Sequence, residues 1–243
     1  MRIPRIFTPA SLNSGATIEL DENAFSHAVR VLRLKQGDNL ILFNGEGGEF
    51  EAELTDAQKK RASATIGQFH DKDCESPLAI ILGQCISRGE KMDYTIQKAV
   101  ELGVTEIVPL FSERCGVKLN QERMEKRLRH WHSIIISACE QCGRNRIPEL
   151  HEAIALTDWQ QQLNVSLKLV LDPTASNTLA TLNNPEKDVA LLIGPEGGLS
   201  DNEIKSAIEH GFSGIRLGPR ILRTETAGLT ALSVIQQLWG DLG

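Results

Sequence analysis

The chain has 243 residues, 41% of them hydrophobic and 24% charged; this is the makeup of one large globular domain or two small ones and excludes wholesale disorder. Its 26 basic and 32 acidic side chains leave a net charge of −6, which rules out a globally basic nucleic-acid binder but leaves room for a local basic patch. No apolar run nears the roughly 18 residues of a membrane span, the first residues lack the apolar core of a secretion signal, and five irregularly spaced cysteines point to free thiols in a reducing, cytoplasmic setting.

The first seventy residues read as mostly β. Residues 38–43 form a strand rich in Leu and Ile, and Asn44-Gly45 with Gly47-Gly48 signals a turn. In 49–54, Phe50, Ala52 and Leu54 alternate with three glutamates, the period of a half-buried strand. Ala62, Ala64 and Ile66 repeat that pattern, so a small barrel is expected. One helix interrupts it. Asp21 can cap it, and Phe25, Ala28, Val29 and Leu32 have the spacing of an inward face, with His27, Arg30 and Arg33 elsewhere. The polar stretch 71–77 ends in Pro and marks a boundary, giving domains at 1–72 and 73–243.

Beyond it, apolar strands alternate with helices. Strands are expected at 78–82, 106–110, 167–171, 189–193 and 214–217, and helices at 90–102, 121–141, 200–210 and 224–239. Continuous apolar strands between helices indicate an α/β domain with a buried, mainly parallel sheet. Gly103 and Gly211 stand at helix C-termini, and Ser200-x-x-Glu203 is a capping box with Ile204, Ala207 and Ile208 as its apolar face. In the last helix Ala231, Leu232, Ile235, Leu238 and Trp239 form a core face.

Two segments stand out chemically. A buried strand runs into Gly194-Pro-Glu-Gly-Gly198 and then into a capped helix. Such a loop lies at the carboxyl end of a strand, where open α/β sheets bind ligands, and its glycines let a ligand reach the backbone. The second is Leu217-Gly-Pro-Arg-Ile-Leu-Arg-Thr-Glu-Thr-Ala227, another strand ending in Gly-Pro. Thr224 and Glu225 fit a helix cap, but Arg220 and Arg223 are left unexplained by it. The two loops can wall one pocket. The G-x-G-x-x-G fingerprint is absent, which disfavours a nicotinamide or flavin oxidoreductase. Cys139-x-x-Cys142 lacks a second ligand pair, and His130 and His132 lack a hydrolase spacing, so no metal is expected. Trp131, Trp159 and Trp239 read as packing residues, and the basic run Arg123, Lys126, Arg127, Arg129 as a solvated helix face.

These two segments resemble the signature motifs of the SPOUT class of S-adenosylmethionine-dependent RNA methyltransferases. Met1-Arg-Ile-Pro-Arg, Ser87-Arg-Gly-Glu-Lys-Met, Gln97-Lys-Ala-Val-Glu-Leu-Gly and Ala138-Cys-Glu-Gln-Cys-Gly-Arg-Asn-Arg are similar to the RsmE group within it. The resemblance covers nearly the whole chain. It implies a PUA-like RNA-binding barrel followed by an α/β domain whose last part threads a trefoil knot, a homodimer, and methylation of uridine N3 in 16S ribosomal RNA, with the assembled 30S subunit as the expected substrate.

Carried onto this chain, the resemblance places S-adenosylmethionine against Leu171, Gly194, Glu196, Gly197, Gly198, Leu217, Gly218, Ile221, Leu222 and Thr224. Uridine N3–H is a weak acid whose anion an arginine would stabilise. Arg223 is the candidate for that role, with Glu225 assisting proton removal or orienting Arg223, although a capping role fits Glu225 as well and the base can be water. The candidate phosphate contacts are Arg2, Arg5, Arg30, Arg33, Arg88, Lys91, Arg144 and Arg146. Residues 84–146 carry 11 lysines and arginines against 8 acids, a local excess inside an acidic chain. Charge reversal at Arg5 and Arg30 is expected to weaken RNA binding. The competing non-enzyme reading is an RNA-binding assembly factor that has lost catalysis.

Overall fold

The computed structural model describes residues 3–116 and 120–243; Arg2, a candidate phosphate contact, lies outside them. The chain divides into two units, Met1–Glu75 with Ile136–Ile147, and Ser76–Ile135 with Pro148–Gly243. The sequence reading divides the chain after residue 72 and leaves 136–147 with the second domain. What attaches 136–147 to the first unit is a set of side-chain bonds over long sequence separations, described below.

In the first unit, β1 (Arg5–Phe7), β2 (Thr17–Glu19), β3 (Asn39–Phe43), β4 (Glu49–Ala57) and β5 (Ala62–His70) form a sheet in the order β1-β3-β4-β5-β2. Strands β1 and β3 are parallel and the other pairs antiparallel. The period-two pattern behaves as read: Ala52, Leu54, Ala62, Ala64 and Ile66 are buried with Ile6, Leu40 and Leu42 in one core. Register shifts between Phe50 and Ala52 and between Leu54 and Asp56 act as bulges, which bend a strand and increase its twist.

The helix in this unit differs from the expectation. Asp21 caps α1 (Glu22–Phe25), accepting from the N–H groups of Asn23 and Ala24 at 3.0 and 3.2 Å. A π-helical turn, Ser26–Val31, follows, closed by the Leu32 N–H to the His27 carbonyl five residues back. Phe25 and Ala28 are buried as expected, but the widened turn rotates the chain and leaves Leu32 exposed. A 3.6-residue period does not hold across such a turn.

The second unit runs β6 (Ala79–Cys85), α2 (Glu90–Glu101), β7 (Glu106–Phe111), α3 (Gln121–Cys142), β8 (Glu149–Leu150), β9 (Ile154–Ala155), α4 (Leu156–Gln162), β10 (Leu167–Leu171), β11 (Asp188–Ile193), α5 (Asp201–Glu209), β12 (Ser213–Ile215) and α6 (Thr224–Trp239), with α3 entering the first unit from Ile136 on. The strands pair in parallel throughout, in the order β12-β10-β11-β6-β7-β8, with β9 also on β7. All five strands and four helices read from the sequence are present; β8, β9 and α4 are too short for a periodicity to show. Gly103 and Gly211 end α2 and α5 at φ +80° and +86°. The Ser200–Glu203 capping box forms in both directions. Ile208 and Leu238, expected in the core, are exposed. Leu238 shares the exposed side of the last turn of α6 with Gln237, while Gln236 in the same turn is fully buried.

Gly83 in β6 is needed for size. A Cβ there would lie 2.3 Å from the indole of Trp159, itself buried against Phe212. Gly83→Ala is therefore expected to cost about 1–3 kcal/mol through overpacking, seen as a lowered midpoint in thermal unfolding.

Candidate cofactor and active site

The carboxyl ends of three neighbouring strands, β12, β10 and β11, open on a cavity of about 470 Å³. That is within the usual range for small-molecule sites and at the usual place in an open parallel sheet. Strand β10 supplies Leu171 and then Asp172 and Thr174; β11 supplies Ile193, Gly194, Glu196 and Gly198; the segment after β12 supplies Leu217, Gly218, Ile221, Leu222, Arg223 and Thr224. Nine of the ten expected cofactor residues thus line one cavity, and Arg223 joins them.

The two motif loops are tied together under the cavity. Thr224 donates its hydroxyl to the Gly194 carbonyl at 2.6 Å. Gln84, fully buried at the end of β6, donates to the Cys85 carbonyl at 2.9 Å and to the Thr224 hydroxyl at 3.3 Å. A second tie joins the strand ends. The Arg216 N–H bonds the Asn177 carbonyl at 2.9 Å and the Asp172 N–H bonds that of Ile215 at 3.0 Å. The threading implied by the family resemblance concerns these same segments.

Glycine is required where backbone and space are special. Gly198 and Gly218 sit at φ +70° and +73°, conformations that side chains disfavour, and a Cβ on Gly194 would press on Leu199 at 3.1 Å. Gly197, the tenth expected residue, does not line the cavity. Its carbonyl instead accepts from Arg114 at 3.1 Å, as does that of Leu199 at 3.2 Å. Arg114 is a loop-holding residue that the sequence reading missed, because nothing local marks a side chain reaching across 83 positions.

Charge in the cavity is mixed. Glu196 accepts from the Arg88 N–H at 3.0 Å and faces Lys91 at 3.6 Å. Partial burial would raise its pKa, but the Arg88 and its own backbone N–H groups and Lys91 outweigh this and hold it below the usual range. Asp172 accepts from the N–H and hydroxyl of Thr174 at 2.8 and 2.7 Å. Asp201, Arg216 and Arg220 complete the polar wall. Asp172, Thr174, Asp201 and Arg220 were not among the expected site residues; they follow from the strand ends, which are visible only once the strand order is known.

Several expected residues fall elsewhere. Glu225 stands in the first turn of α6 but does not line the cavity, and one of its carboxylate oxygens is buried with no hydrogen-bond partner among the described residues. Arg30, Arg33, Arg88 and Arg146 are exposed. Lys91 belongs to the cavity wall. Arg5 and Arg144 are corrected: both are buried within the first unit. Arg5 pairs with Glu49 and donates to Asn145 Oδ1 at 2.6 Å and the Arg144 carbonyl at 3.1 Å. Arg144 holds Glu75 through Nε at 3.0 and 3.2 Å. Their guanidiniums are engaged internally.

The comparisons with known proteins agree with this geometry. The family model described as RNA methyltransferase domain matches residues 74–236, and that described as RNA methyltransferase PUA domain matches 20–67. A Ribosomal RNA small subunit methyltransferase E of Buchnera aphidicola (Schizaphis graminum) is 42% identical over 99% of this chain and 98% of its own; that of Bacillus subtilis is 30% identical over 94% and 93%. The Neisseria gonorrhoeae protein of that name, solved bound to S-adenosyl methionine, superposes with a TM-score of 0.93 at 42% identity over all of both chains. A chain from Legionella pneumophila, solved with the cofactor SAM bound, does so at 0.97 and 47%, again over both full lengths. Among the described residues no helix is long and apolar enough to cross a membrane. The chain belongs to the ribosomal RNA small subunit methyltransferase E family.

Proposed function

We propose that this protein methylates N3 of a uridine in 16S ribosomal RNA with S-adenosylmethionine, acting in the cytoplasm as a homodimer on the assembled 30S subunit. The observation that carries the reading is the single cavity built from both motif loops, in a chain matched end to end by relatives of that name.

The residues present fit the cofactor. Leu171, Ile193, Leu217 and Leu222 offer apolar walls to a purine, and the glycine loops expose backbone groups beside them. Asp172, Glu196 and Asp201 suit the cationic groups of such a ligand, and Lys91, Arg216 and Arg220 its carboxylate. When bound, it supplies an electrophilic methyl group on a sulfonium.

The chain's own task is to orient the base and manage one proton. Arg223 stands exposed on the cavity rim at the N-cap of α6, where it can meet the oxygens of a uridine anion. The proton leaves to water at the open mouth. Glu225, away from the cavity lining, serves the positive end of α6. The target base must be unpaired or flipped out to present N3. The exposed Arg30, Arg33, Arg88 and Arg146 hold phosphates.

The test is methyl transfer from labelled cofactor into isolated 30S subunits lacking the modification, with mass mapping of the product. One methyl group on a single uridine at N3 is expected. Calorimetric titration of the cofactor separates the competing assembly-factor reading: absence of both binding and transfer would establish it.

A further inference from the structure

The π-helical turn of the first unit ends in an unusual way. Leu34 N–H bonds the Ala28 carbonyl at 3.0 Å, six residues back, with Arg33 between them at φ +58°. A positive φ just past the last turn of a helix is a conformation that glycine usually supplies. An arginine held there is strained by about 1–3 kcal/mol, and such strain is kept where a side chain must be aimed. Just before it, the consecutive residues Val31 and Leu32 are 66% and 40% exposed, and the exposed Arg30 and Arg33 flank them in the chain.

The charge around this tip is one-sided in sequence. From Ala24 to Gln36 the chain carries Arg30, Arg33, Lys35 and His27 and no acid. Among the described residues neither Arg30 nor Arg33 forms an ion pair within 4.0 Å. Arg30 lies over the Phe25 ring at 5.0 Å, which stiffens it without neutralising it. On one flank it shares a hollow with Glu19, Asp21, Glu22 and Lys60, which Arg33 and Lys35 do not line. His27 is held from below by Glu140 at 2.8 Å, the bond that chiefly raises its pKa.

We infer that Val31 and Leu32 form an apolar wedge that packs against an unstacked base or the minor groove of the substrate RNA, with Arg30 and Arg33 on the flanking phosphates. Apolar side chains flanked by cations are how DNA-bending proteins enter a base step, unpaired RNA bases likewise offer faces for stacking, and the run of cations without an acid from Ala24 to Gln36 complements a phosphate backbone. The inference rests on the proposed function and deepens it, since it names what part of the RNA this unit reads.

The experiment is direct binding of 16S RNA, free of protein, and methylation of 30S subunits, for the parent chain, Val31→Ser with Leu32→Ser, and Arg33→Gln. The serine pair is on the surface, and circular dichroism checks its fold. It is expected to weaken RNA binding and raise the RNA KM about tenfold, leaving the salt slope and the cofactor Kd as they were; Leu32→Met recovers most of the loss. Arg33→Gln instead lowers the salt slope by about one. Equal binding by the serine pair and the parent overturns the wedge. So does a loss seen on 30S subunits but not on bare RNA, which would assign the tip to a ribosomal protein. If the parent chain binds RNA but transfers no methyl group, the functional reading fails while the wedge is still judged from binding.

Discussion

Arg223→Ala is expected to slow single-turnover methyl transfer by about 10²–10³-fold, the usual cost of removing one aimed donor from a developing anion. The residue lies on the rim of the cofactor cavity, its backbone extended at the N-cap of α6 and its side chain exposed. Its side chain makes no capping hydrogen bond and, among the described residues, no ion pair. The deficit belongs in the chemical step, so it persists with cofactor and RNA saturating. The pH profile gives a second readout. Arg223 favours the deprotonated uridine, so without it the rate climbs to higher pH before levelling, because hydroxide must do more of the work. Arg223→Lys keeps a charge but not the planar fork and recovers part of the rate. An unchanged single-turnover rate in Arg223→Ala would remove it from the mechanism.

The cavity was largely legible before the fold was known, and the reason is local. Both motif loops begin at the end of an apolar strand and lead into a capped helix, so each carries its own address in neighbouring residues. That they face each other follows from the strand order, with β10 between β12 and β11. The same order adds Asp172 and Thr174, which no motif marks. What stayed hidden has one physical cause: bonds between distant residues. Gln84 to Thr224 spans 140 positions, Arg114 to Gly197 spans 83, and Arg5 to Asn145 spans 140. Helix periodicity failed at Leu32 because a π turn replaces the α-helical step. The basic residues divide on the same ground. Counting charge cannot distinguish Arg33, which faces solvent, from Arg144, which is clamped to Glu75.

The fate of Arg5 gives the other large effect. Its side chain is 5% exposed and that of Glu49 10%. Besides Glu49 it reaches Asn145 and the Arg144 carbonyl, and it stacks 4.8 Å from the centre of Phe43. Lys72 adds a second cation at 3.3 Å from Glu49. Arg5→Ala leaves a buried carboxylate with the more exposed Lys72 and a long hydrogen bond from the Asn145 amide at 3.4 Å, and breaking a buried pair in this way costs about 3–5 kcal/mol. For a chain of this length that is a fall of roughly 10 °C in Tm. The loss is pH-dependent. Burial would raise the Glu49 pKa, but Arg5 and Lys72 hold it below its ordinary 4.5. A carboxylate with a depressed folded pKa contributes stability above its unfolded pKa and loses it as pH falls through the folded one. The gap between parent and variant is therefore widest near neutrality and narrows below about pH 4.5, where Glu49 in the unfolded chain is already protonated. Thermal melts at neutral and acid pH measure it. If Arg5 met phosphate instead, Arg5→Ala would leave Tm unchanged and lower only the salt dependence of RNA binding. The buried network predicts the reverse ordering: a large loss of stability, with the salt slope of the protein that remains folded unaltered.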